Sequence, residues 1–217
     1  MTNSDFYPAQ ISHSSLTASA RQSLSGNWGL AALGTLIYIL VSSAASMIPI
    51  IGPLILAGPL AVGMASFVIK ISRDRNADIE NIFDGFKQFA QAFIAYILGA
   101  IAVFAGLILL IIPGIIIMIG LSQTYYIMVD KPNISGVDAL RESWDLMDGY
   151  KVDYFIFSLR FIGWFILSVF TLFIGLLWLL PYMQVSFAKF YDMIKTGRHP
   201  DDSDDDLSKH LLEEDLI

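Results

Sequence analysis

The stretch Leu146–Lys151 reads Leu-Met-Asp-Gly-Tyr-Lys and precedes a long apolar segment, a break at Pro181 and a shorter apolar segment. The same Asp-Gly-aromatic-Lys signature occurs at Asp84–Lys87, again ahead of an apolar segment with a central proline. A fainter version opens at Gly26-Asn27-Trp28. Repetition of this kind indicates one structural unit packed against its own copies. We therefore predict three helical hairpins.

The composition favours a lipid environment. Of the 217 residues, 55% are hydrophobic and 15% are charged, whereas soluble domains average about a quarter charged residues. The chain has no cysteine, which excludes disulfides, thiolate metal sites and cysteine nucleophiles. Much of the net charge of −7 lies in the acidic segment after Pro200. The body of the chain is close to neutral, and its scattered cations argue against nucleic-acid binding.

Two long stretches lack charged side chains, one between Arg21 and Lys70 and one between Lys87 and Asp130. Each is long enough for two membrane crossings of about 20 residues. The first two crossings are predicted at Trp28–Met47 and Pro53–Ile71, and a third pair follows from Tyr154 onward. Turn and hinge positions are predicted from the helix-breaking residues. They are Pro53, Pro59, Pro113, Gly114 and Pro181.

Polar amphipathic segments precede each pair of crossings. Leu16, Ala20 and Leu24 recur at helical spacing in the first segment. The other two segments carry apolar stripes that are suited to lying along lipid headgroups. These stripes are Ile79, Ile82, Phe83 and Phe86 in one connector, and Val137, Leu140, Trp144 and Met147 in the other.

The predicted fold is all-α: an integral membrane six-helix bundle made of three repeated hairpins with short amphipathic cytoplasmic connectors. The charge-free turns and the positive-inside rule predict an inner-membrane protein with both termini in the cytoplasm. The predicted divisions are a disordered lead 1–13, a six-pass domain 14–195 and an acidic cytoplasmic tail 196–217. The hairpins would occupy about 14–72, 73–130 and 131–195.

An ordered series of motifs resembles a prokaryotic family of polytopic membrane proteins known as domain of unknown function 975. The motifs are Ser23–Trp28, Ile112–Gly114, Asp130–Pro132, Ala139–Ser143, Leu146–Lys151, Phe161–Trp164, Pro181-Tyr182 and Phe190-Tyr191. The resemblance covers about Ser14 to Ile194. It implies a six-helix integral membrane protein, and it implies no substrate or reaction.

Arg160 is the most conspicuous charge, about 10 Å into its predicted helix. A cation at membrane depth costs several kcal/mol unless it pairs or reaches the headgroups. Asp130 and Asp192 are the carboxylates expected to approach it, either to line an anionic path or to join helices. The alternative is that the arginine stem extends to the cytoplasmic headgroups. Lys189 is expected to do so as well.

The acidic tail holds a weak calcium-binding pattern. Asp202, Asp204, Asp206 and Glu213 fit positions 1, 3, 5 and 12 of an EF-hand loop. Leu207 occupies the position at which that loop needs glycine, so an ordinary solvated tail is the favoured interpretation. No other metal site and no cofactor is predicted.

These sequence patterns favour a non-enzymatic function. Signatures of phosphate loops, zinc hydrolases and nucleophile elbows are lacking, so we expect no enzyme. The leading hypothesis is a membrane scaffold or accessory protein whose connectors and tail contact the lipid bilayer or a protein partner, with homo-oligomerisation left open. One alternative is a small transporter or permease subunit that uses Arg160. A weaker alternative is protection of the envelope against membrane-active peptides.

Overall fold

The computed structural model describes residues 13–170 and 175–196. Within those ranges the chain forms helices and turns without a strand, which confirms the predicted all-α class. A 3₁₀ helix, Ile79–Gln88, lies between α3 and α4. The α-helices are α1 His13–Leu24, α2 Trp28–Ala45, α3 Ile51–Ser72, α4 Phe89–Leu109, α5 Ile111–Gly120, α6 Thr124–Asp130, α7 Gly136–Leu146, α8 Lys151–Phe170 and α9 Leu176–Thr196.

Four helical segments in the described part of the chain are long and apolar enough to cross a membrane. They are Trp28–Ala45, Ile51–Ser72, Ile79–Leu109 and Ile111–Asp130. Large apolar side chains such as Leu40, Ile101 and Phe104 are exposed along them. Apolar surface on this scale is typical of a membrane interaction face.

Helix α3 lies at the centre of the bundle and is buried along most of its length from Gly58 to Ser72. It packs against α1, α2, α4, α6, α9 and the 3₁₀ helix. Phe67 and Ile71 enter a core that also contains Ile127 of α6 and Tyr191 of α9. Segments far apart in sequence therefore meet on one helix.

The connector Ile79–Gln88 is a 3₁₀ helix instead of the predicted amphipathic surface helix. Because a 3₁₀ helix has three residues per turn, side chains three positions apart share a face. Ile82 and Gly85 are buried in one row, whereas Phe83 and Phe86 are exposed in the next. The prediction of one continuous apolar face is therefore wrong, since the tighter period divides its members between two rows.

Backbone contact between α3 and the 3₁₀ helix requires two glycines. A Cβ atom on Gly63 would lie far inside contact distance of the carbonyl oxygen of Ile82. A Cβ atom on Gly85 would meet the carbonyl oxygen of Pro59 in the same way. The connector thus runs along α3 and leads directly into α4, which explains why Ile79–Leu109 forms a single apolar helical segment.

Helix α1 is the amphipathic helix that the spacing predicted. Leu16, Ala20 and Leu24 are all fully buried, and the helix packs against α9 and α3. The Ser23 hydroxyl donates to the carbonyl oxygen of Ser72, 3.2 Å away, at the end of α3. Full burial of a leucine side chain contributes about 2 kcal/mol relative to water, so α1 is firmly held.

Helix α7 turns its small side chains inward. Gly136, Ala139 and Ser143 are buried, whereas Val137 and Trp144 of the predicted apolar stripe are exposed. Leu140 is half-buried, and Met147, directly after α7, is fully buried. The predicted stripe is therefore buried only in part, and the small side chains make the close contact with α4 and α6. A Cβ on Gly136 would lie 2.5 Å from the carbonyl oxygen of Gln91.

The prolines occupy helices more often than turns. Pro53 and Pro113 lie in the first turns of α3 and α5, where the missing N–H has no helical partner to lose. Pro59 and Pro181 lie inside α3 and α9, so neither forms the predicted turn. The last helix begins at Leu176, before Pro181.

The reversal between α4 and α5 is tight. Leu110 adopts an extended conformation between the two helices. Gly114 then packs against Leu107, and a Cβ atom on Gly106 would lie 2.9 Å from the Cα of Gly114. Close contact between these two glycines allows the helices to pack directly after the turn.

Candidate functional site

Arg73, the residue that follows α3, binds the carboxylate at the end of α6. Its Nη1 donates to Oδ1 of Asp130 at 2.7 Å, and its Nη2 donates to Oδ2 at 2.9 Å. This two-bond geometry is the strong mode of arginine–carboxylate pairing, because both planar groups align. Both side chains are largely shielded from solvent, with 21% of Arg73 and 11% of Asp130 exposed.

Arg73 also binds Asp192 near the end of α9. Its Nη2 lies 2.6 Å from Oδ1 of Asp192, and its Nε donates to the same oxygen at 3.1 Å. The guanidinium therefore joins two carboxylates that are 62 positions apart in the sequence. Its three nitrogens all donate to these two side chains.

Two further residues of α9 complete the group that we call the Arg73 cluster: Arg73, Asp130, Tyr191, Asp192 and Lys195. The Tyr191 hydroxyl donates to Oδ2 of Asp130 at 3.0 Å, and the Lys195 ammonium binds the same oxygen. Lys195 also lies over the Tyr191 ring, 5.6 Å from its centroid. The Tyr191 ring stacks on Tyr126 at 5.4 Å.

The formal charges of the Arg73 cluster cancel. Hydrogen bonding to Asp130, opposed by burial and reinforced by Asp192, raises the pKa of Arg73 above its usual value. Arg73 thus stays charged at every accessible pH. Because the cluster joins the ends of α3, α6 and α9, it is suited to holding helices in place.

Arg160 lies elsewhere, and the prediction that Asp130 or Asp192 approaches it is wrong. Both carboxylates are engaged by Arg73 instead. Within residues 13–170 and 175–196, no carboxylate lies within ion-pair distance of Arg160. Its side chain is exposed.

Arg160 lines an open groove of about 480 Å³ between α1, the start of α2, α8 and α9. We call it the Arg160 groove. Its lining consists of Thr17, Arg21, Trp28, Arg160, Phe161, Trp164, Leu167, Ser168, Gly175, Trp178, Leu179 and Tyr182. Two cations and several aromatic rings thus share one surface, an arrangement that can receive an anionic amphiphile.

The charges beside the groove come from α1 and α8. The pKa of His13 lies below its ordinary value, chiefly because the side chain is buried; Asp153 opposes this shift and Arg160 adds to it. The imidazole also meets the Phe157 ring edge-on, 5.6 Å between centroids. Arg21 and Arg160 are the two cationic side chains that line the groove.

Residues 99–198 match the model of a family described as Protein of unknown function (DUF975). The resemblance read from the sequence motifs is thereby confirmed over this part of the chain. Neither the curated proteins nor the solved structures contain a match to this chain.

The DUF975 match divides the Arg73 cluster. Asp130, Asp192 and Lys195 lie inside the matched residues, whereas Arg73 lies before them. The matched part also contains Arg160 and the tryptophans of α8 and α9 that line its groove.

The remaining predicted site residues are Lys189 and the calcium candidates of the acidic tail. Lys189 is half-buried on α9, and the charges of Asp74 and Asp192 act on it. The calcium candidates Asp202, Asp204, Asp206 and Glu213 lie outside the described residues, as does the acidic tail. Among the described residues, no group of three or more histidine or acidic side chains is placed to hold a metal ion.

Arg73 was missed because it belongs to a polar connector with several neighbouring charges. A useful signal was nevertheless present, since a charged residue lies at or close to the end of each of α3, α6 and α9. The signs of Arg73, Asp130 and Asp192 are complementary, and charged side chains of apolar helices tend to pair with one another.

Proposed function

We propose that this chain is a polytopic inner-membrane protein that acts as a scaffold or accessory protein, with both termini in the cytoplasm. Its six crossings would be α2, α3, the segments Ile79–Leu109 and Ile111–Asp130, α8 and α9. The first four segments are each long and apolar enough to cross a membrane. The antiparallel pairs α2–α3, α4–α5 and α8–α9 support three hairpins.

The observation that carries the scaffold proposal is the outward row of apolar side chains on each connector. Phe83, Phe86 and Phe89 form an exposed row whose rings lie 6.2 and 6.4 Å apart. Val137 and Trp144 are exposed on α7. Aromatic side chains at such positions favour the boundary between lipid and water.

The Arg73 cluster supports a structural role in this proposal. It ties three helix ends together through a neutral network and leaves its two carboxylates occupied. Rigid helix ends would hold the connectors at a constant depth. The acidic tail remains a proposed contact for a protein partner.

Single-cysteine labelling tests the proposal directly, because the chain has no cysteine of its own. A polarity-sensitive dye on Phe86→Cys or Val137→Cys in reconstituted vesicles should be quenched by spin-labelled lipid. Lys87→Cys and Asp138→Cys are matched neighbours with exposed polar side chains. They should be quenched mainly by aqueous iodide, and equal lipid quenching at all four positions would contradict the proposal.

A transporter or permease subunit is the second candidate. The observation in its favour is that Arg160 lines an open groove instead of joining a carboxylate. Discontinuous or opened helices near membrane depth are where transporters bind substrates. An Arg160→Ala variant that folds normally and loses uptake in vesicles would favour this candidate over the scaffold.

A further inference from the structure

The Arg160 groove has a polar end and an apolar end. On α8 its lining residues include Arg160, Trp164 and Leu167, which succeed one another along one helix face. At 1.5 Å per residue, Leu167 lies about 10 Å beyond Arg160 along the axis. The charge is therefore confined to one end of the groove.

The lining residues of α9 also change from polar to apolar along the groove, but α9 runs in the opposite direction, so its polar residue comes later in the sequence. Tyr182 packs against Phe161, with 5.8 Å between ring centroids, beside the charged end. Trp178 lies one turn closer to the apolar end and is half exposed. The wall thus changes from polar to apolar along both helices at once.

Helix α1 closes the charged end. The Tyr182 hydroxyl donates to the carbonyl oxygen of Thr17 at 3.4 Å, which places α1 across this end. Arg21 follows one turn after Thr17 and lines the same groove. In the described part of the chain, Arg21 has no carboxylate within ion-pair distance.

We propose that the Arg160 groove binds an anionic phospholipid of the cytoplasmic leaflet. Arg21 and Arg160 would bind its phosphate, and an acyl chain would lie against Trp164, Leu167 and Trp178. This inference rests on the proposed membrane placement of the chain.

The chemistry of the two ends matches this ligand. Guanidinium groups form strong charge-assisted hydrogen bonds with phosphate oxygens, and two cations favour an anionic headgroup over a zwitterionic one. Tryptophan rings accept acyl chains near the lipid boundary. A small soluble anion would use the arginines and leave the apolar end of the groove empty.

Tryptophan quenching by brominated lipid measures binding in the groove. The experiment uses the full chain with Trp144→Phe, because Trp144 is exposed on α7 away from the groove. The protein is reconstituted into phosphatidylcholine vesicles with a minor fraction of phosphatidylglycerol, and either lipid carries the bromine. Brominated phosphatidylglycerol should quench far more strongly per molecule than brominated phosphatidylcholine.

The arginines are then removed in pairs. Arg21→Gln with Arg160→Gln should abolish the preference, because each charged hydrogen bond contributes about a tenfold change in affinity. Arg75→Gln with Arg141→Gln changes the net charge equally at exposed positions outside the groove. This control should keep the preference.

Three results would overturn the proposal. They are a parent protein without the preference, an arginine pair variant that retains it, and displacement of brominated lipid by inorganic phosphate or glycerol phosphate. If the pair variant fails to fold, Arg21→Gln alone should still lose about tenfold in preference.

The groove and the scaffold proposal can fail separately. If the protein shows no lipid preference but the dyes on Phe86→Cys and Val137→Cys are still quenched by spin-labelled lipid, only the proposal of phospholipid binding in the groove is rejected. If the protein prefers phosphatidylglycerol but neither connector dye is quenched by spin-labelled lipid, only the scaffold proposal is rejected.

Discussion

Arg73 directly follows the long apolar helix α3, whereas Arg160 lies in the middle of α8, and the two arginines have different surroundings. Arg73 is mostly shielded and donates to two carboxylates at 2.6 to 3.1 Å through its closest bonds. Arg160 is exposed along a groove with aromatic walls and a second arginine. The first arrangement neutralises the cation within the protein, and the second leaves it available to an external anion.

This difference separates structural charge from ligand-binding charge. An arginine that satisfies two carboxylates cannot be removed without leaving those carboxylates in a partly desolvated site. An exposed arginine leaves nothing unpaired behind it. The two positions should therefore respond in opposite ways to assays of stability and of lipid binding.

The largest expected effect on stability is that of Arg73→Gln. Removing one partner of a buried pair costs about 3–5 kcal/mol, and partial exposure of the Arg73 cluster reduces the expected loss to about 2–3 kcal/mol. Unfolding by dodecyl sulfate in mixed micelles, followed by circular dichroism, measures this change. Arg73→Lys should recover only part of the loss, because an ammonium cannot form the two-bond pair.

Unequal effects are expected from the two carboxylates. Asp130 accepts bonds from Arg73, Tyr191 and Lys195, so Asp130→Asn should cost about 2 kcal/mol. Asp192 is more exposed and binds Arg73, so Asp192→Asn should cost about 1 kcal/mol. The same micelle unfolding assay ranks them, and a larger loss at Asp192 would show that Asp130 is not the centre of the cluster.

Lys195→Gln should have a small effect. The Lys195 side chain is 42% exposed, and such pairs contribute up to about 1 kcal/mol because water and salt screen them. Its contribution should fall further in high salt, whereas the loss caused by Arg73→Gln should persist. Unfolding in low and high sodium chloride makes this comparison.

The smallest change in stability is expected for Arg160→Gln, below about 0.5 kcal/mol, since exposed substitutions rarely exceed that value. Micelle unfolding measures it beside Arg73→Gln. A loss as large as that of Arg73→Gln would show that Arg160 has a structural partner, and the contrast between the two arginines would fail.

Sequence patterns identified the helices more reliably than their faces. Long uncharged stretches can be satisfied only by apolar helices, and α2 and α3 lie close to the predicted Trp28–Met47 and Pro53–Ile71. Leu16 and Leu24 are buried because a period of 3.6 residues was the correct one for α1. The 3₁₀ period of Ile79–Gln88 could not be predicted from the sequence, since packing against α3 imposes it.

The repeated Asp-Gly signature shows why local similarity does not ensure the same structure. Gly149 has φ +81° and Gly26 has φ +88°, so both occupy the left-handed region between helices. Gly85 instead lies within the 3₁₀ helix, where its missing Cβ admits the backbone of α3. The same residue type thus permits a turn at two copies and close packing at the third.

The candidate site was predicted only in part. The sequence predicts that Asp130 and Asp192 approach a cation, but it indicates Arg160 as that cation because only the depth of Arg160 in an apolar helix is evident from the sequence. Arg73 became the partner because three distant helix ends converge, with 57 and 119 positions between the bonded residues. Such convergence depends on tertiary packing, and the local sequence pattern around each residue does not reveal which distant helix ends will meet.

A double-mutant cycle decides most directly which arginine binds Asp130. Arg73→Gln and Asp130→Asn, singly and together, should show a coupling free energy of at least about 1 kcal/mol in micelle unfolding. The cycle of Arg160→Gln with Asp130→Asn should be additive within about 0.5 kcal/mol. Coupling of Asp130 to Arg160 with additivity toward Arg73 would contradict the account.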